Sequence, residues 1–255
     1  MQVQNTYFYF KSALTPEQCK KIIDYGKNEI DRIKTSGGST EGTTFGNNHK
    51  QAMKDAIPQS DKTIEDLKKE EGEDVDIEQK RYVRDSEVAW LNDKWLYDLI
   101  HPFLRTANDK AGWRYEWDFS ESFQFTKYIK GGFYGWHADG NSCNFGKYKR
   151  YIPGVSPMTP DGGIPRGYTN NPDMVGKVRK LSMTINLNQP GEYEGGNLKF
   201  DFGPHAGGKR FHEVTEIRPQ GSIIVFPSFV YHQVTPVTRG TRYSLVLWSI
   251  GQPFK

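Results

Sequence analysis

GSIIVFPSFVYHQVTPVTRGTRYSLVLW (221–248) decides how this chain is read. Three short runs rich in β-branched and aromatic residues, 221–226, 230–235 and 241–249, are parted by turns carrying Pro or Gly. His232 stands just before the turn TPVTRG, and Arg242 opens the returning strand. On that strand Arg242, Ser244, Val246 and Trp248 share one face, and Tyr243, Leu245 and Leu247 share the other. If the first face lines a barrel, Arg242 lies in an apolar pocket. A buried guanidinium without a partner is costly, so an anion is its natural complement. An arginine fork beside the Ser244 hydroxyl suits a carboxylate. Arg239, in the turn beside Gly240, is expected to be exposed or to meet substrate.

Further strand-like runs lie upstream at 121–129, 133–139, 180–188, 196–202 and 211–217. Eight short strands with only loops between them predict a mainly β chain with N-terminal helices (α+β). The architecture expected is a two-sheet jelly roll, or double-stranded β-helix, of cupin-like form with helices over one sheet. On the strand 180–188, Ser182, Thr184 and Asn186 share a face. They can meet a bound co-substrate or form a polar solvent face.

The run GWHADG (135–140) adds a second feature. Residues i and i+2 of a strand point to the same side, so His137 and Asp139 can reach one ion. With His232 brought back across the barrel, two imidazoles and a carboxylate form the facial set that holds non-haem Fe(II) and leaves positions open. Each piece also has a plain reading: His137 hydrogen-bonded to Asp139 at a strand end, His232 between apolar strands, Arg242 in a surface ion pair. Joint occurrence, in this order and on strand-like segments, points to a metal-dependent oxygenase. His205 and His212 are a rival pair that matches no ligand template, and His49 and His101 look incidental. No P-loop, dinucleotide-binding glycine pattern or nucleophile elbow is found.

Three stretches, QFTKYIKGGFYGWHADG (124–140), KLSMTINLNQPGEYEGGNLKF (180–200) and residues 221–248, carry a family resemblance over roughly half the chain. They resemble the Fe(II)- and 2-oxoglutarate-dependent dioxygenases of the prolyl 4-hydroxylase-like branch, with their bacterial and phage PKHD-type relatives. The resemblance implies that His137, Asp139 and His232 are iron ligands. It implies that Arg242 binds the distal carboxylate of 2-oxoglutarate, with Tyr128 a further contact. Ser244, Thr184 and Asn186 complete the expected co-substrate set. It further implies oxidative decarboxylation with O2, release of succinate and CO2, and hydroxylation of an unactivated C–H bond, with ascorbate as reductant. No residue beyond the metal ligands need act as an acid or base. The expected substrate is a prolyl residue of a peptide or protein. A free amino acid or other small molecule is the alternative, and a non-catalytic jelly-roll protein holding a structural ion is the third reading. Arg242 and Ser244 speak against the last, since a structural ion needs no co-substrate anchor.

Composition narrows the class. Hydrophobic residues make up 35% and aromatics 14%, so Phe, Tyr and Trp must build much of the core. Lys and Arg number 34 against 31 Asp and Glu, a balance that argues for neither nucleic acid nor an anionic membrane as partner. Two cysteines, Cys19 and Cys143, make no disulfide framework and fit a reducing cytoplasm. The start MQVQNTYFYF has no basic region followed by a long apolar run, and no segment is long enough to span a bilayer. A soluble cytoplasmic protein is expected.

Residues 1–255 are read as one domain, with 1–112 a helical support and 113–255 the jelly-roll core. Residues 3–10 read as a strand. Thr15-Pro16-Glu17-Gln18 then opens a helix with a capping box, and Cys19, Ile22, Ile23, Ile30 and Ile33 form its buried stripe. Residues 35–48 read as a loop and 58–80 as a charged insertion. From Ser86 through Phe103 the apolar spacing predicts one helix. The Pro-rich interruption 140–179 leaves the metal edge of the barrel and is expected to cover the site and help choose the substrate.

Overall fold

A computed structural model describes residues 5–42, 84–140, 149–150, 168–169, 172–203 and 210–254. The charged insertion 58–80, residues 43–48 of the loop 35–48 and most of the interruption 140–179 lie outside the described residues, as do His49, Cys143 and His205.

The chain opens with strand β1 (Phe8–Phe10) and helix α1 (Pro16–Thr35). The capping box forms as expected: the Thr15 hydroxyl accepts from the Gln18 amide at 3.2 Å, and the Gln18 side chain accepts from the Thr15 amide at 2.8 Å. Cys19, Ile22, Gly26 and Ile30 are its buried residues, while Ile23 and Ile33 pack at the margin. Gly26 is required by proximity, because a Cβ there would sit 2.3 Å from the ring of Phe125, itself fully buried.

The expected helix over 86–103 is corrected. Arg84–Asp85 (β2) and Glu87–Leu91 (β3) are strands, and only Lys94–Lys110 (α2) is helical. Val88 and Leu91 fit a helical repeat as well as they fit a strand, so spacing alone misleads. The break falls at Asn92-Asp93, where Asp93 is extended (ψ 137°) and accepts a hydrogen bond from the Tyr25 hydroxyl. Pairing of β3 with β5 then outweighs the helical spacing, and Trp90 is left half exposed at the sheet edge.

The remaining strands are β4 (Phe119–Ser120), β5 (Phe123–Tyr128), β6 (Phe133–His137), β7 (Lys149–Arg150), β8 (Tyr168–Thr169) and β9 (Val178–Asn186). After them come β10 (Tyr193–Gly195), β11 (Leu198–Asp201), β12 (Phe211–Glu213), β13 (Ile223–Pro227), β14 (Tyr231–Val234), β15 (Val237–Gly240) and β16 (Arg242–Gly251). The larger antiparallel sheet runs β1-β13-β9-β16-β5-β3, with β4 on β16; the smaller runs β12-β11-β14-β6-β2. β10 and β15 form a separate ribbon, and β7 pairs with β8 in parallel. All eight predicted strands are present within a few residues of their expected bounds.

The two sheets face each other as a jelly roll, and both helices pack on the far side of the larger one. Ile22 and Ile30 of α1 and Leu96, Ile100 and Leu104 of α2 join Phe123, Phe125, Met183, Ile185, Leu245 and Leu247 in one apolar cluster. A second cluster, around Leu198, Phe200, Ile224, Phe226 and Val230, fills the space between the sheets. No helix among the described residues is long and apolar enough to cross a membrane.

Candidate metal centre and co-substrate pocket

Strand pairing builds the candidate metal centre. His232 on β14 lies directly across from His137 at the end of β6, with ring centroids 4.2 Å apart. Asp139 follows His137 by two residues, and the turn after it is tied down by Gly140 N–H donating to the Ser228 carbonyl at 3.0 Å. His137 Nε2 and His232 Nε2 each stand 3.6 Å from an oxygen of Asp139. All three candidate ligand atoms fall within 4.8 Å of one another.

The histidine protons are assigned by their outer partners. His137 Nδ1 lies 2.7 Å from the Gly135 carbonyl and His232 Nδ1 lies 2.9 Å from that of Val230. A carbonyl only accepts, so each Nδ1 carries a hydrogen and the neutral form of each ring presents its Nε2 lone pair to the centre. Two lone pairs and a carboxylate therefore converge with no proton between them, an arrangement that a cation resolves. Burial, then the neighbouring His137, pushes the His232 imidazole down to about 4, which keeps it a neutral ligand. Burial alone would raise Asp139, but the His232 and His137 imidazoles and the Arg179 guanidinium hold it well below the usual carboxylate range. Two imidazoles with one carboxylate suit non-haem Fe(II).

Arg179 is a component that sequence reasoning missed. It forms a bidentate pair with Glu121 at 2.7 and 2.6 Å and donates to the backbone carbonyl of Asp139 at 3.3 Å. Its guanidinium also lies 4.0 Å from the Trp248 ring centroid. Nothing in the run KVRKLS distinguishes this arginine from a surface cation; only the register of β9 against β16 brings it there.

The pocket opens beside the three ligands and encloses about 460 Å³ of space, its mouth included. Tyr128, Thr184, Arg242, Ser244 and Trp248 line it with the ligands. Arg242 is 3% exposed. One of its terminal nitrogens donates to Ser244 Oγ at 3.2 Å, and its Nε has no partner among the described residues. No carboxylate pairs with it among the described residues. Its guanidinium lies 5.4 Å from the ring centroid of Tyr128, its register partner on β5. Gly196, at φ 58°, keeps the chain clear of it, since a Cβ there would meet Arg242 Cδ at 2.8 Å. The Trp248 indole nitrogen is likewise buried without a partner among the described residues.

Other expected contacts separate. Ser182, Thr184 and Asn186 are all buried, so they form no solvent face. Of these, Thr184 lines the pocket. Ser182 is occupied with the Ser228 hydroxyl at 2.9 Å, and the Asn186 amide donates to the Arg218 carbonyl at 2.7 Å. Arg239 is exposed and pairs with Glu194 at 2.9 Å. His212 hydrogen-bonds the Tyr7 hydroxyl and His101 the Ser120 hydroxyl, both away from the centre. A second buried arginine, Arg84, lines the pocket from β2 and was not foreseen either.

A family model described as the 2OG-Fe(II) oxygenase superfamily matches residues 123–250. A PKHD-type hydroxylase of Nitrobacter winogradskyi is 32% identical over 128 residues, which make up 49% of this chain and 42% of that protein. One from Prochlorococcus marinus is 44% identical over 69 residues, 27% of this chain and 28% of the relative. The chain thus spans less than half the length of these relatives. Among solved structures, a Pseudomonas putida prolyl-4-hydroxylase superposes with TM-score 0.53 at 16% identity, covering 97% of this chain and 94% of that one. A Trichoplax adhaerens prolyl hydroxylase, solved with a fragment of the hypoxia inducible factor oxygen degradation domain, gives 0.54 at 12% identity, covering 96% and 84%. At such identities the structural likeness speaks for the fold. Through the family model, spanning half its length and all three candidate ligands, the chain belongs to the 2OG-Fe(II) oxygenase superfamily and resembles its PKHD-type hydroxylases.

Proposed function

We propose that this chain is an Fe(II)- and 2-oxoglutarate-dependent dioxygenase that hydroxylates an unactivated C–H bond, with a prolyl residue of a peptide or protein as its substrate. One observation carries the reading. Two imidazole lone pairs and a carboxylate converge on one wall of a pocket that also holds a buried guanidinium whose Nε has no partner. His137, Asp139 and His232 hold the metal, and Arg242 with Ser244 and Tyr128 receives the far carboxylate of 2-oxoglutarate. When bound, iron and co-substrate supply O2 activation with release of succinate and CO2. The chain's own work is to fix the ligands, orient the co-substrate and exclude water. The Nδ1 bonds hold the rings, the Arg179–Glu121 pair holds the Asp139 backbone, and Phe226 and Trp248 wall the pocket. A peptide substrate is supported by the likeness to the Trichoplax protein, which was solved with a peptide fragment. Ascorbate as reductant and a cytoplasmic site belong to the same proposal; the free, buried thiol of Cys19 suits a reducing compartment.

Anaerobic absorbance of the Fe(II)-loaded protein tests this directly. Adding 2-oxoglutarate should raise a weak visible charge-transfer band in the wild type and none in His137→Ala. Iron bound without a band in the wild type removes 2-oxoglutarate from the proposal.

A further inference from the structure

Arg84 is the feature of the pocket that the assignments above leave unused. It is 7% exposed, lines the pocket, and has no acidic partner among the described residues. Its Nε donates to Ser86 Oγ at 2.8 Å, and one terminal nitrogen donates to Gln124 Oε1 at 2.8 Å and Thr126 Oγ1 at 3.4 Å. Its other terminal nitrogen makes no hydrogen bond among the described residues. Its carbon centre stands 4.6 Å from the ring of Tyr134, and that ring stacks at 3.5 Å on the imidazole of His137. The guanidinium is therefore one aromatic ring away from a candidate metal ligand.

Neutral acceptors hold this side chain in place without cancelling its charge. Counting the pocket, Arg84 and Arg242 contribute two positive charges, Asp139 one negative, and Arg179 is matched by Glu121. A divalent cation and a dianionic co-substrate cancel one another. One positive charge is left, on a largely buried group whose hydrogen-bond acceptors among the described residues are all neutral, where an unpaired charge costs several kcal/mol. Arginine is also the side chain whose fork pairs two-pronged with a carboxylate.

We infer that Arg84 is a specificity-determining residue that binds a carboxylate of the substrate. The substrate is therefore anionic near the hydroxylated carbon, either as a free amino acid or as a peptide with an acidic group beside its target. This rests on the dioxygenase reading of the pocket and narrows it. Gln124, Thr126 and Ser86 are the cradle that aims the fork, and Tyr134 fixes its distance from the metal centre.

Protein loaded with Fe(II) and 2-oxoglutarate under nitrogen is titrated with paired probes, following tryptophan fluorescence, since Trp248 lines the pocket. The probes are the free L-amino acids against their amides, and prolyl peptides flanked by Asp against the same peptides flanked by Asn. At least one pair should bind ten times more tightly as the carboxylate. Arg84→Gln should bring that ratio to within twofold while 2-oxoglutarate still gives its absorbance band, and Arg84→Lys should fall between. The class of pair showing the ratio tells a free amino acid from an acidic peptide. No discrimination in any pair, a ratio that survives in Arg84→Gln, or loss of 2-oxoglutarate binding in that variant each overturns the inference. The wild-type pairs stand even if the variants do not fold. Failure of the underlying reading shows separately, as absence of the band in wild-type protein before any probe is added.

Discussion

The two faces of strands β5, β9 and β16 are both buried and chemically opposite. Towards the helices stand Phe123, Phe125, Met183, Ile185, Leu245 and Leu247, none more than 1% exposed. Towards the smaller sheet stand Gln124, Thr126, Ser182, Thr184, Arg242 and Ser244, none more than 9% exposed. Alternation of apolar and polar residues usually marks a strand with one wet face. Here the polar face is buried too, because the second sheet closes over it. Burial on the helix side holds the sheet against α1 and α2; burial on the barrel side raises the worth of every charge placed there. One set of strands thus carries the helix-facing core on one face and lines the candidate site with the other.

That division can be broken most sharply by one substitution on each side. Asp139→Ala should reduce 2-oxoglutarate turnover to background with little change in melting temperature. Phe125→Ala, beneath Gly26 of α1, should cost about 3–5 kcal/mol of stability by leaving a cavity in the helix-facing core. Its effect on 2-oxoglutarate affinity should be small. Thermal melts and succinate assays on the same two proteins check both halves; a Phe125 variant that melts normally would mean the faces are not separable.

Acid should act through the barrel face. In the unfolded chain His232 takes up a proton near 6.5, whereas in the folded, metal-free protein it does so near 4. The unfolded state binds the extra proton between those values, so stability is full above pH 6.5 and falls as pH drops towards 4. The loss is on the order of 3 kcal/mol at most. Denaturant titrations of metal-free wild type and His232→Leu across this window should diverge, the variant lacking that share of the slope.

The smallest effect expected concerns Arg242. A buried guanidinium with a partnerless Nε burdens the free protein, so Arg242→Met should leave the melting temperature unchanged or raise it by the equivalent of about 1 kcal/mol. The same change should weaken 2-oxoglutarate binding by about 2 kcal/mol or more. A variant that loses stability instead would place Arg242 with the structural residues.

Much of this molecule was legible in the sequence because its strands are short, rich in β-branched and aromatic residues, and bounded by Gly and Pro. The order of His137, Asp139, His232 and Arg242 along those strands suffices to bring them to one pocket once the jelly roll is drawn. What stayed hidden depends on pairing between distant segments. Val88 to Leu91 joins a strand only because β5 offers it an edge, and apolar spacing cannot register that. Arg84 and Arg179 look like ordinary cations in the sequence. They are recognised only when β2 pairs with β6 and β9 with β16. Ser182 and Asn186 failed to separate from Thr184 for a related reason: one face holds all three, but Ser228 and Arg218 claim two of them.

Both histidines of the candidate centre bond, through Nδ1, to the carbonyl two residues earlier in the chain, Gly135 for His137 and Val230 for His232. Local backbone thereby settles each ring's tautomer before any ion arrives. With Asp139 ionised and the His232 imidazole neutral, uptake of a divalent ion at neutral pH displaces no proton from either. These two ligands therefore add no pH dependence to the affinity for the ion across the neutral range.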